Sequence, residues 1–318
     1  MTTKSSTIFL FSGQGSHYYR MGEELYRKHP VFREALEALD ELVQSLLGES
    51  IISVLYDPRY KKQDVFSTLR HTHPAIFMVE VALARTMQHE GIEPDYVLGT
   101  SMGSFAALTI AGGLSAEQAM AAVIRQVEVI EQNCVRGHML AVLDDPVSYH
   151  QNAGLYDNSS LAGVNFYQSF VVATDEAGLE QVEKSLKKGT IRQRLAVDYA
   201  FHSPWLDPAK DVYLEFLKTQ SLQPLKLPFI CCVEGSTLNE VPTTYLWQVV
   251  REPIEFQETI ELLEIEQSRN YIDLGPSGTL ATFLKYLLDK ASASSIHPVM
   301  TPYGSELQQL EKLRKAFA

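Results

Sequence analysis

The chain has 318 residues, of which 45% are hydrophobic and 21% charged, with a formal net charge of −12. That length and balance suit one large or two ordinary globular domains that bury a core without disulfide or metal support, and the acidic balance excludes nucleic acid as a partner. Its cysteines (Cys134, Cys231, Cys232) form no paired framework, there is no signal-peptide pattern, and no apolar run is long enough to cross a bilayer; the sequence therefore reads as soluble and cytoplasmic.

In chain order, residues 7–11 form a β-branched and aromatic run that ends in Ser-Gly and reads as a buried strand. Helical patterns follow over 20–48 and 74–90, then a short strand at 96–98 and a helix former, SFAALTIAGG. Residues 136–199 differ in texture and read as strand, strand, helix, strand, a small α+β subdomain inserted into a larger one made of 1–135 and 200–318. Further runs of buried-strand length lie at 228–233 and 271–274. The terminal segment opens on a capping-box pair, Ser305 and Gln308, and sets Leu307, Leu310 and Phe317 on one helical face. Strands alternating with helices predict an α/β fold with a largely parallel sheet.

Gly99, Ser101 and Gly103 form the pattern G-x-S-x-G between a strand and a helix. That is the context of a nucleophile elbow, in which the turn strains the serine and lifts its hydroxyl above the sheet. The amide of Met102 then sits at a helix N-terminus, where it can serve an oxyanion. A nucleophilic serine needs a base. Among nine histidines, His202 in DYAFHSPWLDP stands where an apolar segment meets a proline turn, a place from which a side chain can enter a cleft. Gly-Gln-Gly at 13–15, after the first strand, can supply a second oxyanion amide. His71 and His73 are spaced like metal ligands, but no further ligands gather nearby in sequence, so no metal is expected.

These stretches together resemble the acyl-carrier-protein acyltransferases, the malonyl-CoA transacylases and polyketide synthase acyltransferase domains. Six blocks carry the resemblance in order: FSGQGSHYYRMGEELY, THPAIFMVEVAL, EPDYVLGTSMGSFAALTIAGGLS, YAFHSP, REPIEF and DLGPSGTL. It implies an α/β-hydrolase-like large subdomain with an inserted ferredoxin-like small one. It also implies Ser101 as nucleophile, His202 as base, the Gln14 and Met102 amides as oxyanion hole, and the Val249 carbonyl as the group that orients the histidine. Gln126, His73, Phe201, Thr100 and Asn165 are implied at the substrate. No cofactor is expected, because CoA or phosphopantetheine would enter as the substrate thioester, with an acyl carrier protein as partner.

Malonyl-specific members carry an arginine that pairs with the substrate carboxylate, and here Gln126 occupies its place. Ala119, Val123, Val127 and Ile130 form the apolar stripe of that helix, which puts the neighbouring Arg125 on the opposite face, towards solvent. Neutral acyl groups are therefore expected, as in the stand-alone acyl hydrolases of polyketide systems with separate acyltransferases. Malonyl transfer served by Arg125, an inactive carrier-protein scaffold and a plain esterase are the alternatives. Lys184, Lys187, Lys188, Arg192 and Arg194 read either as a docking patch for an acidic carrier protein or as a solvated face.

Overall fold

The computed structural model describes residues 5–317. Its strands are β1 (Ser6–Phe11), β2 (Tyr96–Gly99), β3 (Gly137–Leu143), β4 (Ser160–Phe166), β5 (Ser169–Asp175), β6 (Ile191–Arg194), β7 (Phe229–Cys231), β8 (Ser236–Leu238), β9 (Ile254–Glu255), β10 (Arg269–Asp273) and β11 (Ser295–Pro298).

The first sheet has the order β11-β10-β1-β2-β7-β8. All its pairings are parallel except β7 with β8. β1 is central, and Ile8, Phe9, Leu10 and Phe11 are fully buried, as expected of a strand covered on both faces. Alternation divides them. Phe9 and Phe11 join the larger core, while Ile8 and Leu10 pack with Leu98, Ile230 and Tyr271 on the other side.

The 20–48 pattern folds as two helices, Glu23–Lys28 and Pro30–Leu47. The break falls at Pro30, which lacks an N–H and takes the first turn of the second helix. The helix expected over 74–90 starts earlier and runs Leu69–His89 with Pro74 inside it. Buried Leu69, Thr72 and His73 anchor the extra turn.

The second sheet has the order β6-β3-β5-β4-β9. The stretch 162–174, read from sequence as one strand, is a hairpin that turns at Tyr167 and Gln168. The turn carries no glycine or proline, so the apolar residues on either side of it read as one run. β9 comes from outside the 136–199 segment and pairs with β4 in parallel, Gly163 opposite Ile254. This pairing brings the second sheet against the mouth of the first. Among the described residues, no helix is long and apolar enough to cross a membrane.

Candidate active site

β2 ends at Gly99, Ser101 follows, and the elbow helix Gly103–Ile110 leaves at once. Ser101 has φ +52°, a left-handed conformation that costs a non-glycine residue of order 1 kcal/mol or more. Close packing over-determines it. A Cβ on Gly99 would fall 2.4 Å from Ser104 Cα, and one on Gly103 would fall 2.3 Å from the Phe11 carbonyl oxygen. The Thr100 N–H donates to that same carbonyl at 2.9 Å, which ties the elbow to β1.

His202 also has a positive φ, +59°, and its N–H donates to the Val250 carbonyl at 2.9 Å. The imidazole is held at both nitrogens. Nδ1 lies 2.8 Å from the Glu252 carbonyl oxygen, which can only accept, so Nδ1 carries the proton. Nε2 therefore accepts from the Ser101 hydroxyl at 2.8 Å. Burial pushes the imidazole down to about 4, opposed by the Glu252 carbonyl and assisted by Arg251. It is neutral, and thus an acceptor, across ordinary pH.

The orienting carbonyl belongs to Glu252, three residues beyond the expected Val249. Val249 lies inside the helix Tyr245–Arg251, and the carbonyl within reach of the imidazole is that of Glu252. Glu252 is its C-cap at φ −82°, ψ 154°, so its carbonyl turns away from the helix. Pro253 was the sequence signal, because the residue before a proline is pushed out of helical geometry.

Gln14 follows β1 on a loop that approaches the elbow, and a Cβ on Gly13 would lie 2.9 Å from Ser101 Cβ. Met102 is the N-cap residue of the elbow helix, at its positive end. Among the described residues, neither the Gln14 nor the Met102 amide has an acceptor within the chain. The Gln14 side chain is fixed elsewhere, its Nε2 donating to Thr72 Oγ1 at 3.1 Å.

Ser101 and His202 open on a cavity of about 830 Å³ between the two sheets. Its wall includes Gln14, Thr100, Asn165 and Phe201, and the helix Thr279–Leu287 closes one side with Phe283 and Tyr286. Among the described residues no lysine or arginine lines it, whereas Asp144 and Asp145 do. Asn165 is oriented by its Nδ2, which donates to Ser169 Oγ at 3.2 Å.

Gln126 and His73 are absent from this wall. Both are 1% exposed; neither ring nitrogen of His73 has a hydrogen-bond partner, and the Gln126 side chain lies beside the Tyr213 hydroxyl. His73 packs in a tilted arrangement at 5.7 Å against Phe201, which does line the cavity, so one ring separates it from the open space. Arg125 points outward and pairs with Glu128 at 3.1 Å.

An orphaned buried imidazole costs about 1–3 kcal/mol, and burial pushes His73 down to about 3. Unfolded chains take up a proton near 6.5 while the native state cannot, so stability falls as pH drops below about 6.5. His73→Leu should therefore raise Tm. Its advantage in unfolding free energy should grow by about 1.4 kcal/mol per pH unit from 6.5 down to about 3. Urea melts of both proteins at several pH values measure it, and a pH-independent gap contradicts this account.

Of the basic residues on the small sheet's side, Lys184 pairs with Glu180, Lys187 with Asp144 and Arg194 with Glu183. Their fields are largely cancelled locally, which favours the solvated-face reading. His71 is likewise occupied, its Nε2 lying 3.2 Å from Glu49 Oε2.

A serine hydroxyl on an elbow, a neutral imidazole aimed at it and two unpartnered amides beside it are the parts of a centre that takes an acyl group from a thioester. Comparison with known proteins agrees: residues 8–316 match the family described as acyl transferase domain, and the chain belongs to it. It is 39% identical over 304 residues to the polyketide biosynthesis acyltransferase homolog PksD of Bacillus subtilis, covering 95% of this chain and 94% of that one. It is also 39% identical over 308 residues to the homolog BaeD of Bacillus velezensis, covering 96% and 95%. Two solved structures share the fold. The acyltransferase domain from the second module of the salinomycin polyketide synthase superposes with TM-score 0.88 at 28% identity, over 99% of this chain and 74% of that one. MCAT from Streptococcus pneumoniae superposes with TM-score 0.80 at 29% identity, over 96% of this chain and 99% of that one. The two sheets are thus the α/β-hydrolase-like large and ferredoxin-like small subdomains of this fold, and the protein is an acyltransferase-family enzyme of the polyketide type.

Proposed function

We propose that the enzyme uses Ser101 and His202 to remove or transfer neutral acyl groups carried as thioesters on acyl carrier proteins during polyketide biosynthesis. The observation that carries this reading is a reaction cavity without a single lysine or arginine, beside which Arg125 is turned to solvent. A malonyl carboxylate placed there would lose water without gaining a lining cation, because the nearby Lys187 is already paired with Asp144, and it would meet Asp145 on the wall.

The steps follow from the geometry. Nε2 of His202 takes the Ser101 proton as Oγ attacks the thioester carbonyl. The Gln14 and Met102 amides receive the oxyanion, and the thiol leaves with the proton from Nε2. The Glu252 carbonyl holds Nδ1–H throughout and steadies the imidazolium that forms in between. A second thiol or water then attacks the acyl-serine by the reverse path. The phosphopantetheine or CoA thiol is a substrate, and no bound cofactor is needed. The free cysteines, two of them buried, suit a reducing cytoplasm.

Malonyl transfer is the second reading, favoured by the likeness to the Streptococcus pneumoniae MCAT. The experiment is incubation with acetyl-, butyryl- and malonyl-loaded carrier protein, followed by intact-protein mass spectrometry. Acetyl and butyryl groups should turn over about a hundredfold faster than malonyl, the equivalent of about 3 kcal/mol, and rapid malonyl transfer overturns the neutral-acyl reading. In the same assay Gln126→Arg should raise the malonyl share, while an unchanged share places selectivity at other residues. No turnover of any thioester points to a scaffold, against which the 2.8 Å Ser101–His202 hydrogen bond argues.

A further inference from the structure

Glu80 is a carboxyl with no place in the chemistry above, yet it is completely buried in the middle of the helix Leu69–His89. A single oxygen of it does two jobs. The Ser12 N–H donates to Glu80 Oε1 at 2.7 Å, and the Ser12 hydroxyl donates to the same atom at 3.0 Å. The other oxygen, Oε2, has no partner. Burial, with Asp273 nearby, raises this carboxyl well above the usual carboxylate range, and Oε1 is the acceptor for both Ser12 donors.

Ser12 is the first residue after β1, and Gly13 and Gln14 follow it directly. Gly13 packs on Ser101, as described above. Eight residues before Glu80 on the same helix, Thr72 Oγ1 accepts from Gln14 Nε2. Residues i and i+8 fall on nearly one face, about 12 Å apart. One helix thus grips the loop at two points, one on each side of Gly13. Nothing else among the described residues accepts the Ser12 N–H.

We propose that Glu80 is a positioning residue that fixes the departure of the Gly13-Gln14 loop from β1 through Ser12 and so aims the Gln14 amide at the oxyanion. This rests on the reading of Ser101 and the Gln14 amide given above. It predicts that Glu80 acts on the transition state through the loop and leaves substrate binding alone. Removing one oxyanion donor outright costs about 10²–10³ in kcat, and loosening one should cost less.

Kinetics on acetyl-loaded carrier protein with Glu80→Ala, Glu80→Gln and Ser12→Ala test it, each well below its own Tm. Glu80→Ala should lower kcat about 10- to 30-fold with KM within about twofold. Glu80→Gln, which keeps an acceptor oxygen in place, should recover kcat to within about threefold of the parent. Ser12→Ala keeps the backbone bond and loses only the hydroxyl, so it should lower kcat about 3-fold, again with KM steady.

A folded Glu80→Ala with undiminished kcat overturns the proposal, as does a Glu80→Gln as impaired as Glu80→Ala. If Glu80→Ala does not fold, the Ser12→Ala and Glu80→Gln pair decides: an unchanged kcat in Ser12→Ala, or a KM effect in place of a kcat effect, overturns it. Ser101→Ala in the same series separates the two levels. Activity that survives it overturns the site reading itself, whereas an inactive Ser101→Ala beside a fully active Glu80→Ala overturns only the role of Glu80.

Discussion

Ser101→Ala should lower acyl release from acetyl-loaded carrier protein by about ten-thousandfold or more, with KM or carrier-protein affinity little changed. The substitution removes one oxygen and nothing else. Alanine can occupy the same φ of +52° at no greater strain than serine, and the contacts that fix the elbow come from Gly99, Gly103 and Thr100. The variant should therefore fold with a Tm close to the parent's. It should also fail to accumulate the mass increment of an acyl-enzyme. Loss of activity with loss of fold would say nothing of chemistry, so circular dichroism and the intact mass are read together. A folded Ser101→Ala that still turns over thioester at the parental rate removes Ser101 from the mechanism.

His202→Ala should cost about a thousandfold, the middle of the range for a positioned general base. The parent enzyme's pH profile gives the complementary test. Only the neutral imidazole can take the serine proton, so kcat/KM rises with pH through the histidine pKa and then levels. Burial pushes that pKa down to about 4, so the acid limb should lie about two units below an ordinary histidine near 6.5. Activity should thus be flat from about pH 6 upward, until other groups titrate. A limb centred at 6.5 in folded enzyme means that the imidazole is solvated in the working state. Because His17 and His73 are also depressed by burial, to about 4 and about 3, acid favours unfolding in the same direction. Rates below pH 5 are therefore compared only where circular dichroism shows native enzyme.

Much of the site is legible in the linear order of residues because its parts are local. An elbow is specified within five residues, 99–103, by glycines that admit a strand and a helix on either side of a strained serine. The neighbouring G-Q-G after β1 is equally compact. His202 is different. Its partner Glu252 is 50 residues away, and the helical register around Val249 hid the fact that Pro253 expels the preceding residue from the helix. The hairpin within 160–175 and the loan of β9 to the second sheet were invisible for a related reason: pairing partners are chosen by packing across the sheet, and a short apolar run carries no label of its neighbour. Glu80 gave no signal at all. A glutamate in a helical run reads as a solvated charge, and only complete burial against Ser12 distinguishes it.

The sequence by itself determined the α/β class, the serine at its elbow and the outward aim of Arg125, because each depends on periodicity and turn chemistry within a few residues, whereas His202 stood out from the other histidines only through the family resemblance. Tertiary structure decided which carbonyl holds the imidazole, how far its proton affinity falls, and where the reaction cavity lies. It also buried Gln126 and His73 away from that cavity, and among the described residues it left the wall without a lysine or arginine. These properties arise from burial and from contacts between distant segments. Desolvation and hydrogen-bond geometry therefore exist only once the two sheets have closed on each other.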